Sequence, residues 1–136
     1  ETIPNFHNTV SRLNDLKTAI DNDIAGRVSS VSDEIQFVLE HSEVCSYIMD
    51  KISNGEIPLR VTHNDTKLNN ILMDHASGEP ICVIDLDTIM PGYSVNDFGD
   101  SIRFGANTAV EDETDLSKVT LSLELFEAYA KTPGAE

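Results

Sequence analysis

Apolar residues fall at helical spacing in two stretches before residue 57 and at shorter, strand-like intervals after it. Val10, Leu13, Leu16, Ile20 and Ile24 line one face of a helix over residues 10–24. In the second stretch Ser32 is a candidate N-cap, and Asp33 and Glu34 occupy the first turn, where carboxylates meet unpaired N–H groups. Ile35, Val38, Leu39, Cys45, Ile48, Met49 and Ile52 then read as the stripe of one continuous helix that Asn54-Gly55 stops. Past Ile57 the pattern predicts strands over 59–62, 71–74 and 81–84, the last two joined by a hairpin turn at 75–79. After Pro91-Gly92 a helix is expected from near Val95 through Asp100 and Arg103. A last helix, capped by Asp115, is expected to carry Leu116, Val119, Leu123, Phe126 and Ala130. This order predicts an α+β fold, mostly α, in which a small β hairpin unit sits between helical segments; it is not the alternation of a doubly wound sheet.

At 136 residues the chain reads as a single domain, 1–136. Its formal charge of -15 argues against a nucleic-acid partner, which requires a basic face to neutralise phosphates. A bound nucleotide is compatible with it, because magnesium needs local carboxylates. No apolar run approaches the roughly 18 residues of a membrane span, so a cytoplasmic protein with no membrane partner is expected. Cys45 and Cys82 lie in apolar surroundings and read as buried thiols in a reducing compartment, not as a disulfide framework.

The chemistry concentrates in His63-Asn64-Asp65-Thr66-Lys67-Leu68-Asn69-Asn70, of the form H-x-D-x-K-x-x-N. Phosphoryl transfer asks for a group that orients the attacking hydroxyl, a cation on the moving phosphoryl and magnesium ligands. Asp65, Lys67 and Asn70 can supply all three from one loop. A second signal is the apolar run 81–84, which delivers Asp85 at its end, followed by Leu86-Asp87-Thr88. Magnesium takes one or two carboxylates plus phosphate and water oxygens. Asp85 with Asn70 meets that need, and Asp87 is a candidate for a second ion or a substrate hydroxyl.

Loop and strand together resemble the C-terminal lobe of the aminoglycoside phosphotransferase and choline kinase superfamily, relatives of the protein kinases. The stretches 3–9, 63–70, 84–91 and 97–103 are most similar to its N-acetylhexosamine 1-kinases. The resemblance implies a protein-kinase-like C-lobe with Asp65 as catalytic base, Lys67 on the γ-phosphate, and Asn70 and Asp85 on magnesium. It makes His63 a structural loop residue, Asp97 a brace for the catalytic loop from the following helix, and Arg103 a neighbour of the sugar. The implied activity is ATP-dependent phosphorylation of the anomeric hydroxyl of an N-acetylhexosamine. Members of the family also carry an N-terminal lobe with a nucleotide-covering loop and a phosphate-binding lysine. The first 56 residues resemble neither, so the chain is expected to be a C-lobe fragment, inactive by itself.

Other readings of the same residues stay open. Asp97-Phe98-Gly99 spells the metal-binding tripeptide of protein kinases but lies farther from Asp65 than Asp85 does and follows a Pro-Gly loop, so it reads as structural. Arg103 can equally pair with Asp97 or Asp100. Asp85-Leu86-Asp87-Thr88 also matches the nucleophile motif of haloacid-dehalogenase-type phosphatases, which need a Rossmann-like setting. The acceptor can instead be that of an aminoglycoside, choline or homoserine kinase, and a non-catalytic binding module is the remaining class.

Overall fold

The computed structural model describes residues 3–131, which divide into two compact units, residues 3–58 and residues 59–131. Among the described residues the fold is α+β, with five α-helices and two small antiparallel sheets.

Residues 3–58 are helical. Helix α1 spans Thr9–Asn22 and is capped by Asn8, whose side chain accepts from Ser11 N at 3.0 Å. It ends two residues earlier than its apolar pattern suggests. Asp23 turns into the left-handed region (φ +37°), and its carboxylate accepts the Arg27 and Val28 N–H groups. That local hydrogen bonding competes with another helical turn, and Ile24 is left 93% exposed.

The single helix expected over 32–52 is two helices, α2 (Ser32–Glu40) and α3 (Val44–Ser53), separated by a turn. Ser32 is the first residue of α2 and Val31 its cap position, without a side-chain capping bond. The break has a cause in the sequence. Cys45 lies six positions after Leu39, and at about 100° per residue that step rotates the stripe roughly 120° off its face. At the junction His41 Nδ1 lies 2.7 Å from the Phe37 carbonyl, and the His41 ring tilts against Phe37. At the other end of α3 the expected stop holds. Gly55 adopts φ +76°, a conformation open to a residue without Cβ, as the chain leaves the helix. Within this unit α1 packs on α3, and the Thr9 hydroxyl donates to the Cys45 carbonyl.

Residues 59–131 hold the strands, arranged as two separate two-stranded ladders. Strand β1 (Arg60–Thr62) pairs antiparallel with β4 (Met90–Gly92), in the register Arg60↔Gly92 and Thr62↔Met90. Strands β2 (Ile71–Met73) and β3 (Pro80–Val83) form the expected hairpin, with an irregularity between Leu72 and Met73. The expectation of one hairpin unit missed β4, because Pro91-Gly92 reads as a turn. Proline is tolerated in an edge strand. Glycine is demanded at 92 because a Cβ there would overlap Thr62 Oγ1 and stand 2.9 Å from Asn64 Oδ1.

Helix α4 (Ser94–Gly105) follows and packs on β1 and on the 3₁₀ turn Leu68–Asn70. The helix expected from Asp115 is a single 3₁₀ turn, Leu116–Lys118, with Asp115 capping it through Ser117 N. The chain then extends, since Thr120 exchanges hydrogen bonds with Thr108 and Leu121 bridges to Asn107. Helix α5 (Leu123–Ala130) starts afresh from Ser122, whose side chain accepts from Leu125 N. It packs on α4 where Gly105 leaves room for the Tyr129 hydroxyl.

Among the described residues, Met90 and Ala106 are the buried apolar side chains, and Thr62, Asn64 and Asn70 the buried polar ones. All five lie in residues 59–131. The thiols differ from expectation. Cys82 is exposed and Cys45 half-buried, both free, because a two-stranded ladder has no second layer to cover β3.

Candidate active site

The loop that leaves β1 is held by polar groups drawn from three distant segments. Asn64 adopts φ +67°, reversing the chain right after His63. Its side-chain amide donates to the carbonyls of Thr62 (3.2 Å) and Thr88 (2.9 Å). Thr62 Oγ1 lies 3.0 Å from Asn64 Oδ1 and 3.3 Å from the Met90 carbonyl. From α4 the Asp97 carboxylate accepts two backbone N–H groups, His63 at 2.9 Å and Asn64 at 2.7 Å. Charged acceptors make the stronger hydrogen bonds, so this clasp fixes the loop directly before Asp65. Arg103 does not compete for Asp97. The next turn of α4 adds to the hold, with Thr66 Oγ1 donating to the Asp97 carbonyl at 2.6 Å and Ser101 Oγ reaching the Thr66 carbonyl at 3.4 Å.

His63 ties the loop to the segment that carries Asp85. Its Nε2 lies 3.0 Å from the Ile84 carbonyl, an acceptor only, so Nε2 bears the hydrogen; Nδ1 is buried without a partner. Thr88 Oγ1 donates to the His63 carbonyl at 2.7 Å, and Ile84 N donates to the Asn70 carbonyl at 2.9 Å. Ile84 is thus gripped on both its backbone polar groups by the loop, one residue before Asp85. Asp85 itself sits at φ +58°, ψ +59°. A non-glycine residue there carries strain of roughly 1 kcal/mol, which aspartate bears more readily than most residues because its short side chain can hydrogen-bond locally. Asp87 lies in the 3₁₀ turn Leu86–Thr88, and both carboxylates are on exposed residues.

Asp65, Lys67 and Asn70 converge as side chains. Asn70 Nδ2 donates to the Asp65 carbonyl at 2.8 Å and to Asp65 Oδ2 at 2.9 Å. Lys67 Nζ stands 3.8 Å from the same Oδ2, both side chains being about 70% buried (29% and 28% exposed). Both contacts fall on Oδ2, which leaves Oδ1 for an incoming hydroxyl.

The donor set fits magnesium. Asn70 is 6% exposed and its side-chain hydrogen bonds run through Nδ2, so Oδ1, an oxygen of the kind a cation takes, stays available. Asp85 follows the residue bonded to the Asn70 backbone. No group of three or more His, Cys, Asp or Glu side chains converges on a cation-sized space among the described residues. One carboxylate and one amide oxygen suit a hard cation that completes its octahedron with phosphate and water oxygens.

Arg103 stands apart from these groups. Its Nε and Nη2 donate to Asp100 Oδ1 at 3.1 and 2.9 Å, and Nη1 lies 3.4 Å from Glu111 Oε1. The hydrogen bonds to Asp100, with the charges of Asp100 and Glu111, hold the guanidinium above its ordinary pKa. Sequence reasoning missed Asn64, Thr66, Thr88 and Glu111, while of the two partners it offered Arg103 the structure selects Asp100. An asparagine flanked by His and Asp, at a point where the chain must reverse, was the one legible signal among them. The phosphatase alternative loses its footing, because the Asp85 segment leaves a two-stranded antiparallel ladder and not the parallel sheet that chemistry needs.

The family model of the phosphotransferase enzyme family matches residues 2–130, which takes in the loop, the Asp85 segment and all five helices. The chain therefore belongs to that family of phosphotransferases, within the aminoglycoside phosphotransferase and choline kinase superfamily.

Proposed function

We propose that the chain is the catalytic, protein-kinase-like C-lobe of an ATP-dependent small-molecule kinase whose acceptor is a sugar hydroxyl, the anomeric oxygen of an N-acetylhexosamine. One observation carries the reading: the Asn70 amide and Lys67 both meet Asp65 Oδ2, and the Asn70 carbonyl holds Ile84, directly before Asp85. In this reading Asp65 Oδ1 accepts the proton of the acceptor hydroxyl. The acceptor's hydroxyl oxygen bonds to the γ-phosphorus as the bond from phosphorus to the bridging oxygen of ADP breaks, and ADP departs with the electron pair. Lys67 balances the charge of the transferring group. Asn70 and Asp85 hold magnesium, and Asp87 serves a second ion or a substrate hydroxyl. When bound, the metal neutralises phosphate charge. His63 and Asp97 keep the loop and the Asp85 segment in register, so that positioning, not covalent chemistry, supplies most of the rate.

The test is a phosphorylation screen with ATP and magnesium against N-acetylhexosamines, choline and aminoglycosides. It is run on the 136-residue chain and on the longest form in which the segment occurs naturally. Transfer to an N-acetylhexosamine that disappears in Asp65→Asn supports the reading. Transfer that survives the substitution removes Asp65 from its role, and preference for choline or an aminoglycoside replaces the substrate.

A further inference from the structure

Asp85 stands on a short arc between two anchors, and both anchors fasten to the loop that carries Asp65. At the first, Ile84 N donates to the Asn70 carbonyl at 2.9 Å, and the Ile84 carbonyl accepts His63 Nε2 at 3.0 Å. At the second, Thr88 Oγ1 donates to the His63 carbonyl at 2.7 Å, and the Thr88 carbonyl accepts Asn64 Nδ2 at 2.9 Å. Ile84 and Thr88 are half-buried, while Asp85, Leu86 and Asp87 between them are exposed. The arc is fixed at its ends and open along its length.

The left-handed backbone of Asp85 is not held by its own side chain. A short polar side chain can stabilise that conformation through a local hydrogen bond, but the Asp85 carboxylate caps nothing in the 3₁₀ turn that follows it. Closure of the arc supplies the cause instead. The chain leaves the β2–β3 ladder at Val83 and must be back on the loop at Thr88. The next hold beyond Thr88 is Met90, paired with Thr62 in the β1–β4 ladder. With Thr88 gripping the loop, the unheld stretch is 85–87; without that grip it lengthens to 85–89, and Asp85 is free to relax into an ordinary conformation.

We infer that Thr88 is a positioning residue for Asp85: its hydroxyl on the His63 carbonyl keeps the arc closed and Asp85 left-handed, and so aims the carboxylate offered to magnesium. Magnesium demands near-ideal octahedral geometry, so a carboxylate aimed differently binds it more weakly. The assignment to magnesium rests on the phosphotransferase reading. The hold of Thr88 on the Asp85 backbone does not.

The experiment has two arms. The first compares thermal melts of the 136-residue chain carrying Asp85→Gly or Asp85→Ala, each made with Thr88 and with Thr88→Val (Thr88→Ala where the valine variant does not fold). Glycine accepts left-handed backbone and alanine is penalised there. Asp85→Gly is therefore expected to melt above Asp85→Ala while Thr88 is present, and the gap is expected to narrow once the hydroxyl is removed. No gap with Thr88 present, or an equal gap in both backgrounds, overturns the inference. The second arm measures phosphoryl transfer from ATP against magnesium concentration, in the form of the protein that shows transfer. Thr88→Val should need about 5-fold more magnesium for half-maximal rate, the net worth of about one hydrogen bond. Thr88→Ser, which keeps the hydroxyl, should need as much as the wild type. A purely structural loss lowers the rate equally at every magnesium concentration, so an unshifted half-point, or Thr88→Ser behaving as Thr88→Val does, overturns the role toward magnesium. Absence of transfer in every form rejects the kinase reading, and the melts alone then decide whether Thr88 holds Asp85.

Discussion

Residues 3–58 bury no side chain completely and, apart from the Thr9 hydroxyl on the Cys45 carbonyl, are held by side-chain hydrogen bonds between near neighbours in sequence, whereas residues 59–131 bury three polar side chains and join loop groups 21 to 35 positions apart. In the first region α1 is closed by local side chains, Asn8 at one end and Asp23 at the other. In the second, Thr62, Asn64 and Asn70 sit inside with side-chain hydrogen bonds to the surrounding loop and strands, and a buried polar group that loses its partner costs about 1–3 kcal/mol. The helical region can therefore absorb single changes that the loop region cannot. Left-handed non-glycine residues occur in both regions, at Asn5 and Asp23 in the first and at Asn64 and Asp85 in the second.

The difference can be broken most decisively at Asp65. Asp65→Asn should lower phosphoryl transfer about 10²- to 10⁴-fold, the range for a lost general base, while the melting temperature stays near that of the wild type. A steady-state assay beside a thermal melt reads both. Asp97→Ala should act on stability and activity together. It removes the acceptor of two loop N–H groups, so about 2–4 kcal/mol of unfolding free energy is expected to be lost in a denaturant titration. An unchanged midpoint would mean that the loop does not need its clasp. Gly92→Ala sets a Cβ against Thr62 and Asn64, and about 1–3 kcal/mol of destabilisation follows from that overpacking.

On the other side of the comparison, Asn8→Ala removes the cap of α1. About 1 kcal/mol should be lost, with phosphoryl transfer per folded molecule unchanged. A fall in turnover beyond the folded fraction would show that the two regions do not divide the work in this way. The smallest effect belongs to the β2–β3 hairpin. There the Ser77 N–H, followed by the Ser77 hydroxyl and the Ala76 N–H, holds the Asp74 carboxyl below its ordinary value of 3.8. A carboxyl depressed in the folded state contributes stability above its unfolded pKa and loses it as pH falls through the folded value. The Ala76 and Ser77 amide signals should therefore stay constant from neutral pH down to about 4 and move only below it.

Periodicity located α1 well, where the stripe kept its phase, and failed where the phase slipped, while α4 was placed by the Pro91-Gly92 turn before it. The Leu39-to-Cys45 step contained the α2–α3 break, and counting apolar residues without tracking their angle joined the two. At Asp115 the capping chemistry was legible but the length of the element was not, since the pairing of Thr120 with Thr108 ended it after one turn. Strand β4 stayed hidden because Pro91-Gly92 states a turn locally, while its pairing with β1 depends on residues almost thirty positions away.

The sequence alone determined which groups the proposed chemistry uses, because Asp65, Lys67, Asn70 and Asp85 are identified by residue type and spacing, both properties of the chain itself. It also determined the family, whose pattern those spacings carry. The resemblance named Asp97 as a brace and His63 as structural, but only the tertiary structure decided which atoms they hold: Asp97 two loop amides, His63 the Ile84 carbonyl, and Asp100 with Glu111 the guanidinium of Arg103. The physical reason is range. Helix periodicity and loop spacing are local, but a buried hydrogen bond takes whichever partner the fold delivers, and no local pattern announces that partner in advance.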